Sequence, residues 1–195
     1  MGEEDGVSLR HPADLPGGRL ILVVGASGVG KDSLLDGARR ALAGRDDIVF
    51  PRRIITRPPG LGGEDYIAVS EAEFLELQRQ SRFALHWSAH GLHYGISRDI
   101  DEDLRQERKV VVNASRAILD AARRQYHALR IVHVTAAPAV IAARLRQRGR
   151  ETEAEIAARL QRAVPADLSN GDDVVVCEND GPLSEGLARF LQLIA

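Results

Sequence analysis

The residues best suited to chemistry lie in one glycine-rich segment, which follows an apolar run at residues 20–24. Its spacing is that of a phosphate-binding loop, in which glycines let backbone N–H groups approach a polyphosphate. A helix predicted from residue 32 adds its positive dipole end, and Lys31 adds a full charge. We therefore predict a nucleoside triphosphate site made by Gly25, Ala26, Ser27, Gly28, Val29, Gly30, Lys31, Asp32 and Ser33. The alternative is a glycine-rich turn that binds no ligand.

The loop departs from the usual pattern at the residue after the lysine, where Ser or Thr normally supplies a hydroxyl to Mg²⁺. That residue is Asp32, and Ser33 follows it. Because a carboxylate is a better ligand for a hard cation than a hydroxyl, we predict a Mg²⁺ site at Asp32 and Ser33. The alternative is that Asp32 is an acidic residue in the first turn of the helix, where it favours the helix dipole.

Composition narrows the class of protein. The 195 residues are enough for one substantial core, and a net charge of −2 argues against a general nucleic-acid binder. No run is long or apolar enough to cross a membrane, and we expect residues 1–17 to form a flexible tail. The single cysteine, Cys177, permits no disulfide within the chain, which is typical of a reducing compartment. We expect a cytoplasmic protein that acts on a small molecule; the oligomeric state stays open, with a homodimer as one alternative.

Apolar runs alternate with helical segments along the chain, which is typical of a parallel sheet wrapped by helices. We predict core strands at residues 20–24, 109–113, 130–135 and 173–177. We predict helices at residues 32–43, 70–80, 97–107, 115–126, 138–148, 152–163 and 182–194. Residues 50–95 depart from this alternating pattern, because they contain short β-rich segments, glycines and most of the aromatic residues. We interpret them as a lobe inserted into a single domain that covers residues 18–195.

A second candidate site lies in this lobe. Arg57 precedes a Pro-Pro-Gly turn, and an arginine on a stiff loop beside tyrosine hydroxyls is a good arrangement for holding phosphate. The predicted binding residues there are Arg53, Arg57, Tyr66 and Tyr94. The alternative is that Arg57 pairs with Glu64 or Asp65 at the surface and that both tyrosines belong to the core. Three nearby histidines have a spacing that suggests zinc, but no cysteine or carboxylate ligands cluster with them, so we predict no metal at His86, His90 and His93.

The order of these motifs identifies a family. The phosphate loop, the Thr-Arg-Pro-Pro-Gly turn with Glu-Asp-Tyr, the Ser-Glu-Ala-Glu-Phe segment at residues 70–74 and the His-Tyr-Gly at 93–95 together resemble the guanylate-kinase branch of the nucleoside monophosphate kinases. The resemblance covers about residues 19–195 and implies a P-loop kinase fold of the α/β class. It also implies that residues 50–95 bind the acceptor and that about 146–154 form a mobile lid.

The same resemblance assigns further site residues. It implies that Asn179 lies near the adenine of ATP. It also implies that arginines of the lid region meet the transferring phosphoryl group, and the candidates are Arg144, Arg148, Arg150 and Arg159. The alternative for each arginine is an ordinary surface position on an amphipathic helix.

Two departures from the family pattern concern the base. Guanylate kinases read guanine with two acidic residues, and the matching positions here are Ala89 and Asn113. Unlike a carboxylate, the amide of Asn113 carries no negative charge to attract the amino and N–H groups of guanine. It also presents a different pattern of hydrogen-bond donors and acceptors. The lobe would then hold phosphate without selecting a base, and Asn113 joins the predicted acceptor-binding residues.

Three separated segments, at residues 30–33, 87–95 and 112–116, resemble the members of this family that phosphorylate ribose 1,5-bisphosphate in phosphonate breakdown. This resemblance implies ATP as the phosphoryl donor, Mg²⁺ as the metal, ribose 1,5-bisphosphate as the small-molecule acceptor and 5-phosphoribosyl 1-diphosphate as the product. Two alternatives stay open. One is an ordinary nucleotide kinase such as guanylate kinase. The other is a non-catalytic module of this fold that binds a protein, which would not need the intact Gly25, Gly30 and Lys31.

Overall fold

The computed structural model describes residues 18–60, 64–149, 152–162 and 171–195. The strands are β1 (Arg19–Val24), β2 (Ile48–Val49), β3 (Arg53–Ile55), β4 (Tyr66–Ala68), β5 (Phe83–Ala89), β6 (Leu92–Ser97), β7 (Lys109–Asn113), β8 (Leu129–Thr135) and β9 (Val174–Glu178). The helices are α1 (Lys31–Ala41), α2 (Glu71–Arg79), α3 (Ile100–Arg105), α4 (Leu119–Gln125), α5 (Pro138–Arg148), α6 (Glu153–Arg162) and α7 (Leu183–Ile194). Each predicted core strand and helix has its counterpart, although the helix predicted at 115–126 begins as a 3₁₀ turn at Arg116–Ile118.

The central sheet is parallel throughout, in the order β2-β7-β1-β8-β9. Parallel strands are covered on both faces, so their sequences are continuously apolar rather than alternating. Residues 20–24 of β1 are accordingly no more than 1% exposed. Because β1 lies at the centre of the sheet, the loop after it emerges in the middle of the carboxyl edge, where open α/β sheets bind ligands.

Two apolar clusters cover the faces of this sheet. One joins the sheet to α1, α5, α6 and α7 through Leu34, Ile141, Ile156 and Phe190. The other joins it to α3, α4 and the second sheet through Ile100, Leu119, Ile55 and Trp87. A parallel sheet between two such layers is the predicted α/β kinase fold, and burial of these side chains is its main stabilising contribution.

A second sheet, in the order β4-β3-β6-β5, is formed by strands between residues 53 and 97, in the part of the chain where the inserted lobe was predicted. Strands β5 and β6 form an antiparallel hairpin, whereas β3 and β4 are parallel. Helix α2 begins with a capping box formed by Ser70 and Glu73. Its Phe74 is 1% exposed and stacks on Phe83 of the hairpin at 4.5 Å between ring centroids.

None of the helices in the described parts of the chain has the length and apolar character needed to cross a membrane.

Candidate active site

The phosphate loop connects β1 to α1 through backbone conformations that need glycine. Gly25 has φ 153° and Gly30, the N-cap of α1, has φ 98°. A Cβ at Gly25 would lie 2.3 Å from the carbonyl oxygen of Val134, and one at Gly30 would lie 2.5 Å from Nδ2 of Asn179. Neither position admits a side chain, so the loop turns tightly enough to direct the N-terminus of α1 toward the carboxyl edge of the sheet.

The Lys31 side chain folds back over this loop. Its Nζ donates to the carbonyl oxygens of Gly25 at 2.7 Å and Ala26 at 3.0 Å. The ammonium group of Lys31 therefore lies against the loop, where backbone carbonyl oxygens accept its hydrogen bonds. A polyphosphate would offer stronger acceptors to the same ammonium group.

The pKa of Lys31 is lowered to about 8, chiefly because burial disfavours the charged form. Asp32 opposes this shift and favours the charged amine, as Glu64 does to a smaller extent. Arg53 and Arg116 lower the pKa further by like-charge repulsion. Lys31 is therefore close enough to arginines from two other elements for their charges to act on it.

Two side chains support the loop from behind. Asn179, which is 2% exposed, donates from Nδ2 to the carbonyl oxygen of Val29 at 2.7 Å. Arg144 of α5 donates to the same oxygen at 3.2 Å and to the carbonyl of Gly181 at 3.3 Å. The sequence did not predict these contacts, because they join segments far apart in the chain. The predicted contact of Asn179 with adenine and the predicted catalytic role of Arg144 stay predictions.

The predicted metal ligand Asp32 lies in the first turn of α1 beside the end of β7. Parallel pairing sets Val23 opposite Asn113, and the Asn113 amide donates to Oδ1 of Asp32 at 2.9 Å. In the described residues no group of three or more His, Cys, Asp or Glu side chains could hold a metal ion. Mg²⁺ in kinases is usually held by one or two carboxylates together with substrate phosphates, and Asp32 with the neighbouring Ser33 fits that arrangement.

The predicted acceptor residue Arg53 is half of an ion pair. Its Nε donates to Oε2 of Glu64 at 3.0 Å, and its Nη2 bonds the other carboxylate oxygen. The guanidinium also lies 5.2 Å from the ring centroid of Tyr94 and 5.8 Å from that of Trp87. These two rings are stacked at 5.3 Å with an angle of 7° between their planes. The charge of Arg53 is thus held on an aromatic platform inside the lobe.

Arg57 makes several weaker contacts. Its Nη2 donates to the Tyr94 hydroxyl at 3.4 Å, and its Nη1 lies 3.8 Å from Oε1 of Glu64. Its guanidinium lies 5.4 Å from the centroid of the Tyr66 ring, and the Tyr66 hydroxyl donates to the carbonyl of Pro58 at 2.5 Å. Arg57 therefore pairs with Glu64, which was one of the alternatives that the sequence left open. These long contacts leave guanidinium donors of Arg57 for a phosphate.

One cleft lies between the start of α1 and the lobe. It is lined by Asp32 of α1, by Asn113 at the end of β7, by Arg53 of β3 and by Glu64, which precedes β4. The predicted metal ligand Asp32 and the predicted acceptor residues Arg53 and Asn113 therefore meet in this cleft, whereas Arg57 lines a second cavity beside Pro58 and His93.

Sequence reasoning missed His133 and gave no role to Arg116. His133 is 8% exposed in β8, and its register partner is Val24, the last residue before the loop. Burial lowers the pKa of His133, and the nearby charges of Arg116 and Lys31 lower it further. The sequence feature that could have drawn attention to His133 is a histidine inside an otherwise apolar predicted strand.

The lid candidates are only partly described. Arg148 and Arg159 lie in α5 and α6, but their side chains, like the whole of Arg150, fall outside the described residues. Gly149 ends α5 in a left-handed conformation. Arg146 bonds Glu153 through Nε at 2.7 Å and Nη2 at 2.8 Å, which links the end of α5 to the start of α6.

Comparison with known proteins decides the family. The sequence model of guanylate kinase matches residues 17–190. Ribose 1,5-bisphosphate phosphokinase PhnN of Acidiphilium cryptum (strain JF-5) is 55% identical over 178 residues, which is 91% of this chain and 92% of that protein. The protein of the same name from Brucella melitensis biotype 2 (strain ATCC 23457) is 44% identical over 179 residues, with 92% and 93% covered. The chain belongs to the guanylate kinase family, among its ribose 1,5-bisphosphate phosphokinases.

As a member of this kinase family, the chain is a phosphotransferase. A solved guanylate kinase from Anaplasma phagocytophilum superposes with a TM-score of 0.62 at 16% identity, covering 91% of this chain and 84% of the other. At that identity the likeness supports the fold alone.

Proposed function

We propose that the chain transfers the γ-phosphoryl group of ATP to the 1-phosphate of ribose 1,5-bisphosphate, and that the products are 5-phosphoribosyl 1-diphosphate and ADP. One observation carries the proposal: Asp32, which directly follows Lys31 of a complete phosphate loop, shares a cleft with Arg53 of the lobe and with Asn113, and Ala89 and Asn113 stand at the guanine-reading positions. The relatives that bear the name of this activity support the same acceptor.

The reaction needs no general base. A phosphate monoester has a second pKa near 6, so the 1-phosphate is an anionic nucleophile at neutral pH. One of its oxygens forms a bond to the γ-phosphorus, the bond from that phosphorus to the β–γ bridging oxygen breaks, and ADP leaves with the electron pair. The protein has to align the two substrates and offset their negative charge.

On the donor side, Lys31 exchanges the carbonyls of Gly25 and Ala26 for the β- and γ-phosphates, while the loop amides hold the same anion. Asp32 and Ser33 are the residues that would hold Mg²⁺ here. The bound ion would offset charge on the phosphate oxygens. Asn113 orients the carboxylate of Asp32 through its hydrogen bond.

On the acceptor side, Arg57 and Tyr94 are proposed to hold the reacting phosphate, with Arg53 and Tyr66 beside them. In the free protein the Glu64 carboxylate pairs with both Arg53 and Arg57. Its negative charge offsets the repulsion between the two guanidinium groups. A bound phosphate replaces part of that pairing with charge-assisted hydrogen bonds.

The lid completes the proposal. Arg144, Arg148, Arg150 and Arg159 are the candidate cations that meet the transferring group when the segment at about 146–154 closes, and closure would exclude water that could hydrolyse ATP. Asn179 is the candidate for the adenine contact. We further propose a single kinase domain at residues 18–195 behind a tail at 1–17, acting in the cytoplasm in phosphonate breakdown.

A substrate panel tests the function. Purified protein with ATP and Mg²⁺ is expected to consume ribose 1,5-bisphosphate far faster than GMP, with product formation followed by ³¹P NMR. Preferential turnover of GMP would instead identify an ordinary guanylate kinase. No turnover with any phosphorylated acceptor would favour the non-catalytic module.

A further inference from the structure

The proposed acceptor carries two phosphates, which lie on opposite sides of its sugar ring, and only the 1-phosphate reacts. That phosphate has to meet the γ-phosphate of ATP, so it lies at the end of the cleft where Asp32 follows Lys31 of the phosphate loop. The 5-phosphate then lies farther from the loop, and a second cation is needed to bind it.

One face of helix α1 forms a side of this cleft. The lining residues that α1 contributes are Asp32, Leu35, Asp36 and Arg39, which have the i, i+3, i+4, i+7 spacing of a single helix face. At about 1.5 Å of rise per residue, Arg39 lies about 10 Å beyond Asp32 along the helix axis. The cleft therefore has the predicted metal ligand at its loop end and a guanidinium group about two helical turns away.

Arg39 is oriented by its neighbours but weakly bound. Its Nη1 donates to Oδ1 of Asp36 at 3.4 Å, and its guanidinium carbon lies 5.8 Å from the centroid of the Phe50 ring. Within the described residues the contact with Asp36 is the only hydrogen bond of Arg39. An exposed ion pair at this spacing contributes little stability, so most of the N–H donors of Arg39 are available to a phosphate.

Four carboxylates also line the cleft, but three of them have other partners. Those three contacts are Asp32 with the amide of Asn113, Glu64 with Arg53, and Asp65 with Arg52. Among the described residues that line the cleft, Asp36 is the acid that pairs with Arg39. A phosphate at Arg39 therefore competes with Asp36.

The cleft is narrow in the free protein. Its free volume is about 20 Å³, which is little more than one water molecule requires, so the acceptor has to displace side chains to enter. Glu64 lines the cleft and is the side chain proposed above to give up its arginine partners. The Arg39 side chain is 39% exposed, so its guanidinium can be reached from solvent.

We propose, on the basis of the proposed function, that Arg39 binds the 5-phosphate of ribose 1,5-bisphosphate. With the 1-phosphate at the loop end of the cleft, the 5-phosphate extends along α1 and replaces Asp36 as the partner of Arg39. A phosphate dianion offers a guanidinium group shorter and stronger hydrogen bonds than the long contact with Asp36. A nucleoside monophosphate carries an uncharged base on the side of the sugar where the bisphosphate carries this anion. Arg39 is thus a specificity-determining residue.

Binding measurements with and without the 5-phosphate test this assignment. Isothermal titration calorimetry would compare ribose 1,5-bisphosphate with ribose 1-phosphate on the full chain and on Arg39→Ala, Arg39→Lys, Asp36→Asn and Arg40→Ala. Arg40 is the matched control, because it is an exposed arginine in the same last turn of α1 and does not line the cleft. Thermal unfolding of each variant checks the fold.

We expect Arg39→Ala to weaken ribose 1,5-bisphosphate binding by about 10- to 100-fold, the loss of a charge-assisted phosphate contact, and ribose 1-phosphate binding by less than about 2-fold. Arg39→Lys should recover part of the loss, and Arg40→Ala should bind both sugars as the unmodified chain does. Asp36→Asn should tighten ribose 1,5-bisphosphate binding about 2- to 5-fold, because it frees Arg39 from a competing carboxylate.

Equal weakening of both sugars by Arg39→Ala, or of neither, would overturn the assignment. So would an equal loss in Arg40→Ala, or weaker binding of ribose 1,5-bisphosphate in Asp36→Asn. Equal affinity of the unmodified chain for the two sugars would overturn the assignment and leave the proposed function standing. Failure of the unmodified chain to bind either sugar would instead refute the proposed function, and the role of Arg39 with it.

Discussion

The proposed donor loop and the proposed acceptor lobe differ in which groups are available to bind phosphate. The loop is made of backbone: its glycines admit no Cβ, and Asn179 and Arg144 brace it through the carbonyl of Val29. The lobe is made of side chains, with Arg53 on the stacked rings of Trp87 and Tyr94 and paired to Glu64. The loop can bind a polyphosphate after one side chain, Lys31, changes partners, whereas the lobe has to rearrange an ion-pair network.

This difference indicates where each substrate's affinity originates. Backbone amides and a helix terminus recognise phosphate in any nucleotide, so the donor side is general. Side-chain charges and their counterions can be substituted one at a time, so we expect the proposed acceptor side to determine which compound is phosphorylated. Variants on the donor side should therefore change turnover, and variants on the acceptor side should change the Michaelis constant of the acceptor.

The largest effect is expected on the donor side. Lys31→Ala should lower turnover about 100-fold or more with the fold retained, because it removes a preorganised charge that is most useful as the phosphoryl group transfers. The measurement is kcat with both substrates saturating, with circular dichroism and thermal unfolding as controls. Near-normal turnover would show that the loop is not catalytic.

A smaller effect, restricted to one substrate, is expected in the lobe. Arg57→Ala should raise the Michaelis constant of the acceptor about 10- to 100-fold through the loss of a charge-assisted contact, and leave that of ATP nearly unchanged. Arg52→Ala is the matched control, because Arg52 is 52% exposed and lies 3.7 Å from Asp65 at the surface. An effect confined to ATP would place Arg57 in the wrong half of the site.

Substitution of Asp32 should change the Mg²⁺ concentration that the enzyme needs for activity. If its carboxylate holds Mg²⁺, Asp32→Ala should need more Mg²⁺ for half-maximal activity, and Asp32→Ser should recover part of the activity by restoring the usual hydroxyl. If Asp32 only favours the helix dipole, Asp32→Ala should lose about 0.3–1 kcal/mol of stability and keep its metal response. An unchanged Mg²⁺ titration would therefore defeat the ligand hypothesis and leave the kinase function intact.

The smallest effect is a proton taken up when ATP binds. With its pKa at about 8, Lys31 is about half protonated at pH 8 in the free protein, and a bound polyphosphate should raise that pKa. ATP binding at pH 8 should then take up about half a proton, since the complex favours the charged amine. ATP affinity should fall as the pH rises above 8. Titrations in buffers of different ionisation enthalpy measure the uptake, and Lys31→Ala should lack it. An uptake that survives in this variant would assign the proton to another group.

Much of the fold followed from local sequence patterns. The apolar runs that became β1, β7, β8 and β9 alternate with helical segments, so they predicted a parallel sheet wrapped by helices, and the structure has one. The loop was recognisable because backbone geometry demands glycine at given spacings. Arg53, Arg57 and Tyr66 could be predicted as binding residues because an arginine beside a rigid turn has a local signature in the sequence, and their roles stay predictions.

The sequence by itself therefore determined the class of fold, the loop and the family, because each depends on residue types at short spacing. Only the tertiary structure brought Asn113 to Asp32, Asn179 to Val29, and Arg116 and His133 into the electrostatic neighbourhood of Lys31. Those contacts join residues that are far apart in the chain, and no local pattern encodes them. They depend on the strand order, which sets the ends of β7, β1 and β8 side by side at one edge of the sheet. The pKa of Lys31 follows from the same cause, since burial and neighbouring charge exist only after the chain has folded.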